Sequence, residues 1–368
     1  MKYLNHNIYL TLLLSFLFVG CDKADEILDI EPDTPAYGYI LFNADKPTRG
    51  ALVDDMNRPF GVMGYYWKYN NQNDIWTTVR VLATPDVFHA QKITYDDDSQ
   101  LHTYDLEPST NGTQLKPWEF GYKYTFFGYY PHETESQGAL SVSADNVQGT
   151  PYITYTLPTD VAKMQDVMTA AVYDTDYRST REVAFTFKHR LTAVDVQMVN
   201  MNAPLENGTE VYVKVTDLKV NLENQGYDKV VIPMDDTMPL ERTEAANKKK
   251  NYTIVPSVTL APSNGESSAI VASGNPLRII PQEKISGSYL YGTVSLSIQY
   301  VDKNGNPITV ADAEVTNGAV APISFNVERD LLPGRRYVLQ LTFTRDALTL
   351  QVIPPGEWVD NRVDVEFD

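Results

Sequence analysis

The stretch VAFTFKHRLTAVDVQMV, residues 183–199, decides the fold class because its apolar side chains recur at nearly every second position. Such alternation is typical of a β-strand with one buried face, and it does not match the 3.6-residue period of a helix. A slip in the alternation near residue 193 indicates a bulge or bend. Further runs with the same period, separated by turn signals such as DKNGNP and LLPGR, cover residues 211–222, 291–301 and 338–343.

Helical periodicity is scarce along the chain. Residues 158–170 could form one short helix, and residues 241–250 either a helical turn or a charged loop. Neither segment is long enough to organise a core. The sequence therefore predicts an all-β protein with several short strands in each half, as in β-sandwiches.

The 368 residues leave room for two domains. Aromatic residues concentrate in the first half, whereas the second half is richer in Val, Leu and Ile. A boundary in the polar segment DYRST, near Thr180, separates these compositions. We expect an N-terminal β-sandwich over residues 37–180 and a C-terminal one over residues 181–368.

The composition excludes several classes of function. A formal net charge of −18 argues against nucleic-acid binding, which needs a basic surface. The histidines lack metal-ligand spacing, and we expect a structural role for His189 in FTFKHRL. Residues 95–105, YDDDSQLHTYD, lack the spaced ligands of a calcium loop, so a solvated loop is favoured. No nucleophile elbow or phosphate-binding loop occurs, so we expect neither a catalytic residue nor a cofactor or metal.

Two aromatic segments, PFGVMGYYW at residues 59–67 and FGYKYTFFGYYP at residues 120–131, admit two interpretations. Their rings could stack on sugars at the surface. Their alternation instead favours core strands, with Gly where two backbones pack closely.

The N-terminus carries export signals. Residues 8–20, IYLTLLLSFLFVG, form an apolar run of 13 that is too short to span a bilayer and is typical of a signal peptide over residues 1–20. Cys21, the single cysteine of the chain, follows Gly20 as in a bacterial lipobox, which predicts lipidation. Residues 21–36 are acidic and contain proline, which predicts a mobile tether to the outer membrane.

Five segments in order resemble strands of the Bacteroidales fimbrillins. They are RPFGVMGYYW at 58–67, WEFGYKYTFFGYYP at 118–131, DVMTAAV at 166–172, VAFTFKHRLTAVDVQM at 183–198 and LLPGRRYVLQLTFT at 331–344. The resemblance implies a subunit of type V pili, built from two transthyretin-like β-sandwiches in tandem and exported as a surface-exposed lipoprotein.

The resemblance also implies a mechanism in which the subunit's first strand covers a groove until a trypsin-like, Arg-specific protease releases it. The covering strand would lie in YGYILFNAD, with the face of Ile40 and Phe42 buried, and the cut would fall at Arg49-Gly50 within residues 37–49. A strand from another pilin subunit would then fill the groove. The donor would lie within residues 347–368, where two alternations are available: Leu348, Leu350 and Val352, or Val363, Val365 and Phe367. The alternative is that both alternations are ordinary terminal strands.

The expected function is that of a fimbrial subunit supporting cell adhesion and biofilm formation, located in the outer membrane first and in the fimbrium after processing. Its stalk, tip or anchor role stays open. The alternative is a monomeric surface lipoprotein that binds glycans through the aromatic segments. In either case a host or bacterial surface glycan or protein is a candidate partner.

Overall fold

The computed structural model describes residues 37–44, 58–70, 73–96, 101–104, 115–180, 182–263, 270–272, 276–282, 290–311, 313–327 and 330–357. Within these ranges, helix is limited to α1 (Trp76–Val79) and to three 3₁₀ turns at Arg80–Leu82, Glu133–Glu135 and Val161–Lys163. The remaining regular elements are 22 strands. The all-β prediction is therefore confirmed. No helix in the described part of the chain has the length and apolarity needed to cross a membrane.

The N-terminal half is built around a six-stranded sheet of antiparallel neighbours in the order β10-β8-β5-β2-β3-β4. The strands are β2 (Phe60–Lys68), β3 (Phe88–Asp96), β4 (Leu101–Thr103), β5 (Tyr122–Tyr130), β8 (Met168–Thr175) and β10 (Lys188–His189). A separate two-stranded parallel sheet consists of β1 (Leu41–Ala44) and β9 (Glu182–Phe185). Apolar side chains of both sheets form one continuous core cluster.

The aromatic segments of the N-terminal half lie in this sheet, as the alternation predicts. Their buried rings include Phe60, Tyr65, Phe126 and Tyr129. Gly61 is required because a Cβ there would come within 2.0 Å of the Tyr129 ring.

A four-stranded sheet links the two halves of the chain. Its order is β14-β13-β7-β6, with β6 (Leu140–Val142), β7 (Tyr152–Thr156), β13 (Tyr227–Pro233) and β14 (Glu241–Glu244). The central pair joins β7 to β13, which lie on opposite sides of Thr180 in sequence. The division into domains at residues 180 and 181 stays a prediction, and any such domains share this sheet.

Two five-stranded sheets form the C-terminal half. One has the order β16-β11-β21-β22 with β17 also on β11, and the other has the order β15-β12-β18-β19 with β20 also on β18. Their strands are β11 (Thr192–Asn200), β12 (Tyr212–Leu222), β15 (Lys250–Leu260), β16 (Ile270–Ala272), β17 (Leu277–Ile279), β18 (Leu290–Val301), β19 (Gly318–Ala319), β20 (Ile323–Val327), β21 (Arg335–Phe343) and β22 (Leu348–Glu357). The predicted strands over 211–222, 291–301 and 338–343 are confirmed as β12, β18 and β21.

Two local expectations were wrong. Residues 158–170 do not form an α-helix, because Val161–Lys163 makes a single 3₁₀ turn and β8 begins at Met168. Residues 241–250 form no helical turn: Glu241–Glu244 is β14, which pairs with β13, and the expected loop is limited to residues 245–249. In both places a neighbouring strand offers backbone partners that outweigh the local preference.

Candidate functional site

Strand β1 lies between two pieces of backbone that hold it in place. On one side it pairs in parallel with β9, from Leu41 opposite Glu182 to Ala44 opposite Phe185. On the other side the Ile40 amide donates to the Lys116 carbonyl oxygen at 2.8 Å. The same contact continues at 3.0 Å from the Trp118 amide to the Gly38 carbonyl oxygen. Residues 38–44 therefore fill a groove in which residues 116–118 bond to Gly38–Ile40 and β9 pairs with Leu41–Ala44.

The apolar face of this segment points into the core of the N-terminal half. Ile40 is 0% exposed, Phe42 3% and Ala44 6%. Leu41 and Asn43, on the opposite face, are only partly buried. The structure thus places Ile40 and Phe42 on the buried face, as the alternation predicts. Burial of each large side chain stabilises the segment by roughly 1.5–3 kcal/mol.

Four aromatic rings surround the Phe42 ring and are called the Phe42 cage here. Their centroids lie 5.5–5.9 Å from that of Phe42, three of them tilted or edge-on and one stacked. The cage consists of Phe88, Tyr104, Phe126 and Phe185. Edge-to-face and offset contacts of this kind are worth about 0.5–1.5 kcal/mol per pair beyond the buried area.

The Tyr104 hydroxyl joins the cage to the backbone of the first strand. It donates to the Ile40 carbonyl oxygen at 2.8 Å and accepts from the Lys116 amide at 3.0 Å. Burial raises the pKa of Tyr104 to about 12, although the Lys116 amide opposes the shift. The hydroxyl therefore keeps its proton at neutral pH and can donate to Ile40.

A second aromatic group, called the Tyr37 clamp here, lies at the surface beside the start of the segment. The Tyr37 ring is 4.5 Å from Tyr177 and 5.7 Å from Phe120, measured between centroids. The Arg178 guanidinium lies over the Phe120 and Tyr177 rings, and its Nε donates to the Tyr177 hydroxyl at 2.9 Å. Tyr37 and Phe120 are 40% and 60% exposed, so this group is accessible from solvent.

Gly128 of β5 explains how β9 and the residues after it approach the cage. A Cβ at this position would come within 3.0 Å of the Phe187 ring and 3.2 Å of the Phe185 ring. The absence of a side chain lets these rings pack directly on β5. Gly128 therefore allows Phe185, a residue of the Phe42 cage, to pack directly on β5.

The remaining predicted site residues fall in three places. Cys21, Arg49 and Gly50 lie outside the described residues, as do Val363, Val365 and Phe367. Leu348, Leu350 and Val352 lie in β22, opposite Phe343, Leu341 and Leu339 of β21. This ladder matches the alternative in which Leu348–Val352 belong to an ordinary terminal strand, and their donation to another subunit stays a prediction.

His132 and His189 have structural partners. His189 Nδ1 lies 2.5 Å from Asp166 Oδ2, and both side chains are largely buried. His132 Nε2 contacts the Ala90 carbonyl oxygen at 3.0 Å. Within the ranges that the structure describes, no three His, Cys, Asp or Glu side chains are grouped so as to hold a metal ion.

Sequence reasoning found the buried face of the first strand but missed the cage and the clamp. The cage residues come from four separated strands or loops, and only the alternation of aromatic residues within each strand signals them. No periodic pattern in the sequence predicts the Tyr37 clamp, because Tyr37, Phe120 and Tyr177 lie in turns or loops.

Comparison with known proteins supports the fold. The model of the fimbrillin-like family matches residues 56–357. A fimbrial protein from Bacteroides vulgatus is similar in structure, with a TM-score of 0.62 and 17% sequence identity over 87% of this chain and 99% of that one. Candidate cell adhesion proteins from Bacteroides ovatus and Bacteroides uniformis are less similar, each 14% identical. Their TM-scores are 0.46 and 0.43, with 87% and 88% of this chain and 97% and 100% of theirs covered.

No curated protein matches the chain. The family match covers most of the sequence and agrees with the strand motifs quoted above. The chain therefore belongs to the fimbrillin-like family, which is a structural family and not one of enzymes.

Proposed function

We propose that the chain is a fimbrial subunit of the cell surface that polymerises by strand exchange after its first strand has been removed. Family membership supports a pilus or adhesion subunit that assembles with other pilin subunits at the cell surface. The proposal adds assembly by strand exchange, with filaments that support cell adhesion and biofilm formation.

The observation that carries the proposal is the groove occupied by residues 38–44. If this segment leaves, β9 loses its parallel partner, and the Trp118 amide and the Lys116 carbonyl oxygen lose their bonds. The Phe42 cage would then face solvent. An open strand edge beside an apolar cavity is a template for an incoming strand. Head-to-tail repetition of such a contact gives an open filament.

The cut that releases the segment is proposed at Arg49-Gly50, by a trypsin-like protease. Arg49 follows β1 by five residues, and an arginine is the recognition residue of such an enzyme. After removal of the signal peptide over residues 1–20, lipidation of Cys21 would hold the subunit at the outer membrane until this cut. Removal of the anchor and the first strand would then occur in one step.

The donor is proposed to lie in residues 347–368 of another subunit. The two halves of the chain would act as the acceptor and donor ends of the subunit, in two transthyretin-like sandwiches that share the four-stranded sheet.

Substitution of Arg49 tests the proposal. Arg49→Ala should leave a chain that keeps residues 21–49 and forms no polymer, whereas the matched control Arg58→Ala should mature normally because Pro59 follows Arg58. The measurement is the N-terminal residue of the surface form, together with electron microscopy of filaments. Filaments of normal length from the Arg49→Ala strain would refute strand removal.

One observation favours the second candidate function, a monomeric glycan-binding lipoprotein. The Tyr37 clamp exposes aromatic faces beside the Arg178 guanidinium, in a chain whose formal net charge is −18. A glycan array with the wild-type chain and Phe120→Ala separates the two functions. Binding that depends on Phe120 from a chain that never polymerises would favour the second.

A further inference from the structure

We infer that the Phe42 cage selects the incoming strand by requiring an aromatic side chain, and that this side chain is Phe367 of a second copy, with Val365 in the place of Ile40. The inference rests on the proposed strand exchange and adds the donor segment, its register and its specificity.

The cage is built for one large planar side chain. All four surrounding rings lie within 5.9 Å of the Phe42 centroid, and Phe42 itself is 3% exposed. An aliphatic side chain of Val size would leave most of this volume empty. Such cavities are costly because the surrounding side chains relax only partly.

The two candidate donor alternations differ in how they meet this requirement. Leu348, Leu350 and Val352 hold no aromatic residue and are already paired with β21. Val363, Val365 and Phe367 follow the described end of β22 at Glu357 and place one aromatic residue at an alternate position. The cage therefore favours the second alternation as its occupant.

The register of the incoming strand follows from the sizes of the side chains that it replaces at positions 40 and 44. With Phe367 in the cage, Val365 falls at the position of Ile40, which differs from it by one methylene. Shifted by two residues, Phe367 would fall at Ala44, which is 6% exposed and packed in the core. That register would overpack one position and leave the cage underfilled, so both changes oppose it.

The backbone of the first strand determines which of its positions the incoming strand can replace. The amide of Val365 can replace that of Ile40 in donating to the Lys116 carbonyl oxygen, and its carbonyl can accept from the Tyr104 hydroxyl. Gly38 has φ +72°, which the β-branched Val363 would adopt only with strain. The incoming strand therefore copies residues 39–42 and enters the groove extended before that point.

A displacement assay on the full chain after signal removal tests the inference. A recognition sequence for a site-specific protease is inserted between Arg49 and Gly50, the folded protein is cut, and a thiol dye marks Cys21, the single cysteine. A synthetic peptide of residues 357–368 is then added, and release of the labelled segment is followed by fluorescence anisotropy. We expect release by the wild-type peptide, and release by a Phe367→Ala peptide only at roughly a hundredfold higher concentration.

Two controls separate the specificity from general binding. The Glu366→Ala peptide changes a neighbour on the outward face and should match the wild-type peptide within about twofold. A peptide of residues 37–49 should replace the labelled segment, because it carries Phe42 itself. Equal release by the Phe367→Ala and wild-type peptides would overturn the inference and leave strand exchange standing.

The same cut protein shows whether the proposed function fails or only the inference about Phe367. If even excess peptide of residues 37–49 does not exchange with the labelled segment, the first strand is not removable, and the proposed function falls together with the inference. Size-exclusion chromatography without peptide then identifies the donor molecule. Wild-type and Glu366→Ala chains should form oligomers and Phe367→Ala chains should not, whereas a monomer that has lost its label would show that the chain fills its own groove, against the second copy.

Discussion

The hydroxyl of Tyr104 donates a hydrogen bond of 2.8 Å to the carbonyl oxygen of Ile40, from a side chain that is itself 2% exposed. The same hydroxyl accepts from the Lys116 amide, so one buried oxygen connects the first strand to one wall of its groove. Because the bond to Ile40 is buried, its loss leaves the Ile40 carbonyl oxygen without this partner away from water. The hydroxyl therefore couples the first strand to the core of the N-terminal half. A single substitution at Tyr104 can test this coupling.

Tyr104→Phe should weaken binding of the first strand in its groove, because it removes the hydroxyl and leaves the size of the ring unchanged. The substitution leaves the Ile40 carbonyl and the Lys116 amide without the hydroxyl, which we expect to lower the free energy of unfolding by about 1–3 kcal/mol. Chemical denaturation measures this loss. Tyr124→Phe is the matched control, since its hydroxyl accepts from the Glu119 amide and touches no residue of β1. In cut protein, only Tyr104→Phe should speed release of residues 21–49.

Stability should fall in alkaline solution, beginning near pH 10. Burial raises the pKa of Tyr104 and of Tyr124, each to about 12, above the ordinary value of 10. Between these values the unfolded chain has lost a proton that the folded chain keeps, so the free energy of unfolding decreases as pH rises. For Tyr104 the decrease is about 1.4 kcal/mol per pH unit between pH 10 and 12, and none is expected below pH 9. Denaturation curves across this range, with tyrosinate absorbance as the probe of ionisation, measure the effect, and a flat profile to pH 12 would contradict it.

Phe42→Ala should be among the more destabilising substitutions in the N-terminal half. It empties the cage, and losses of about 3–5 kcal/mol are usual for buried Phe→Ala changes. Asn43→Ala, on the outward face of the same strand, should change stability by less than about 0.5 kcal/mol. Hydrogen exchange of the β9 amides is the local measurement, because the Val183 and Phe185 region is protected through β1. Equal exchange rates in both variants would show that Phe42 does not hold the strand.

The fold class follows from the sequence because alternation is a local property. Residues 183–199 show where the local signal stops: the alternation is real, but the chain breaks into β9, β10 and β11, which join three different sheets. The slip in the alternation indicates one bend near residue 193, whereas the strands are interrupted earlier, at residues 186–187 and 190–191. The side-chain pattern therefore does not show that three short strands change partners here. The β7–β13 pairing has the same origin, since its partners lie more than 70 residues apart.

The candidate site was predictable on one side only. Alternation along the first strand separates a face with Ile40 and Phe42 from a face with Leu41 and Asn43. The choice of the first face as the buried one needs only these neighbouring residues, because the two faces can be compared within a single strand. The cage depends on Phe88, Phe126 and Phe185 meeting across two sheets, which requires the register of strands distant in sequence. Residues 241–250 show the converse case, where charged residues form β14 because β13 offers it a free edge.

Gly128→Ala should loosen the Phe42 cage, because it displaces the Phe185 ring. The added methyl group would lie about 3.0 Å from the Phe187 ring and 3.2 Å from the Phe185 ring, so these rings must move away from β5. Overpacking of this kind costs roughly 1–3 kcal/mol, and the shift of Phe185 should also disturb its stacked contact with Phe42. We therefore expect a lower unfolding midpoint and faster release of the cut first strand. Phe42→Leu supplies the crossed test: if the two changes act on the same contact, their combined effect should be smaller than the sum, and strict additivity would show that Gly128 acts elsewhere.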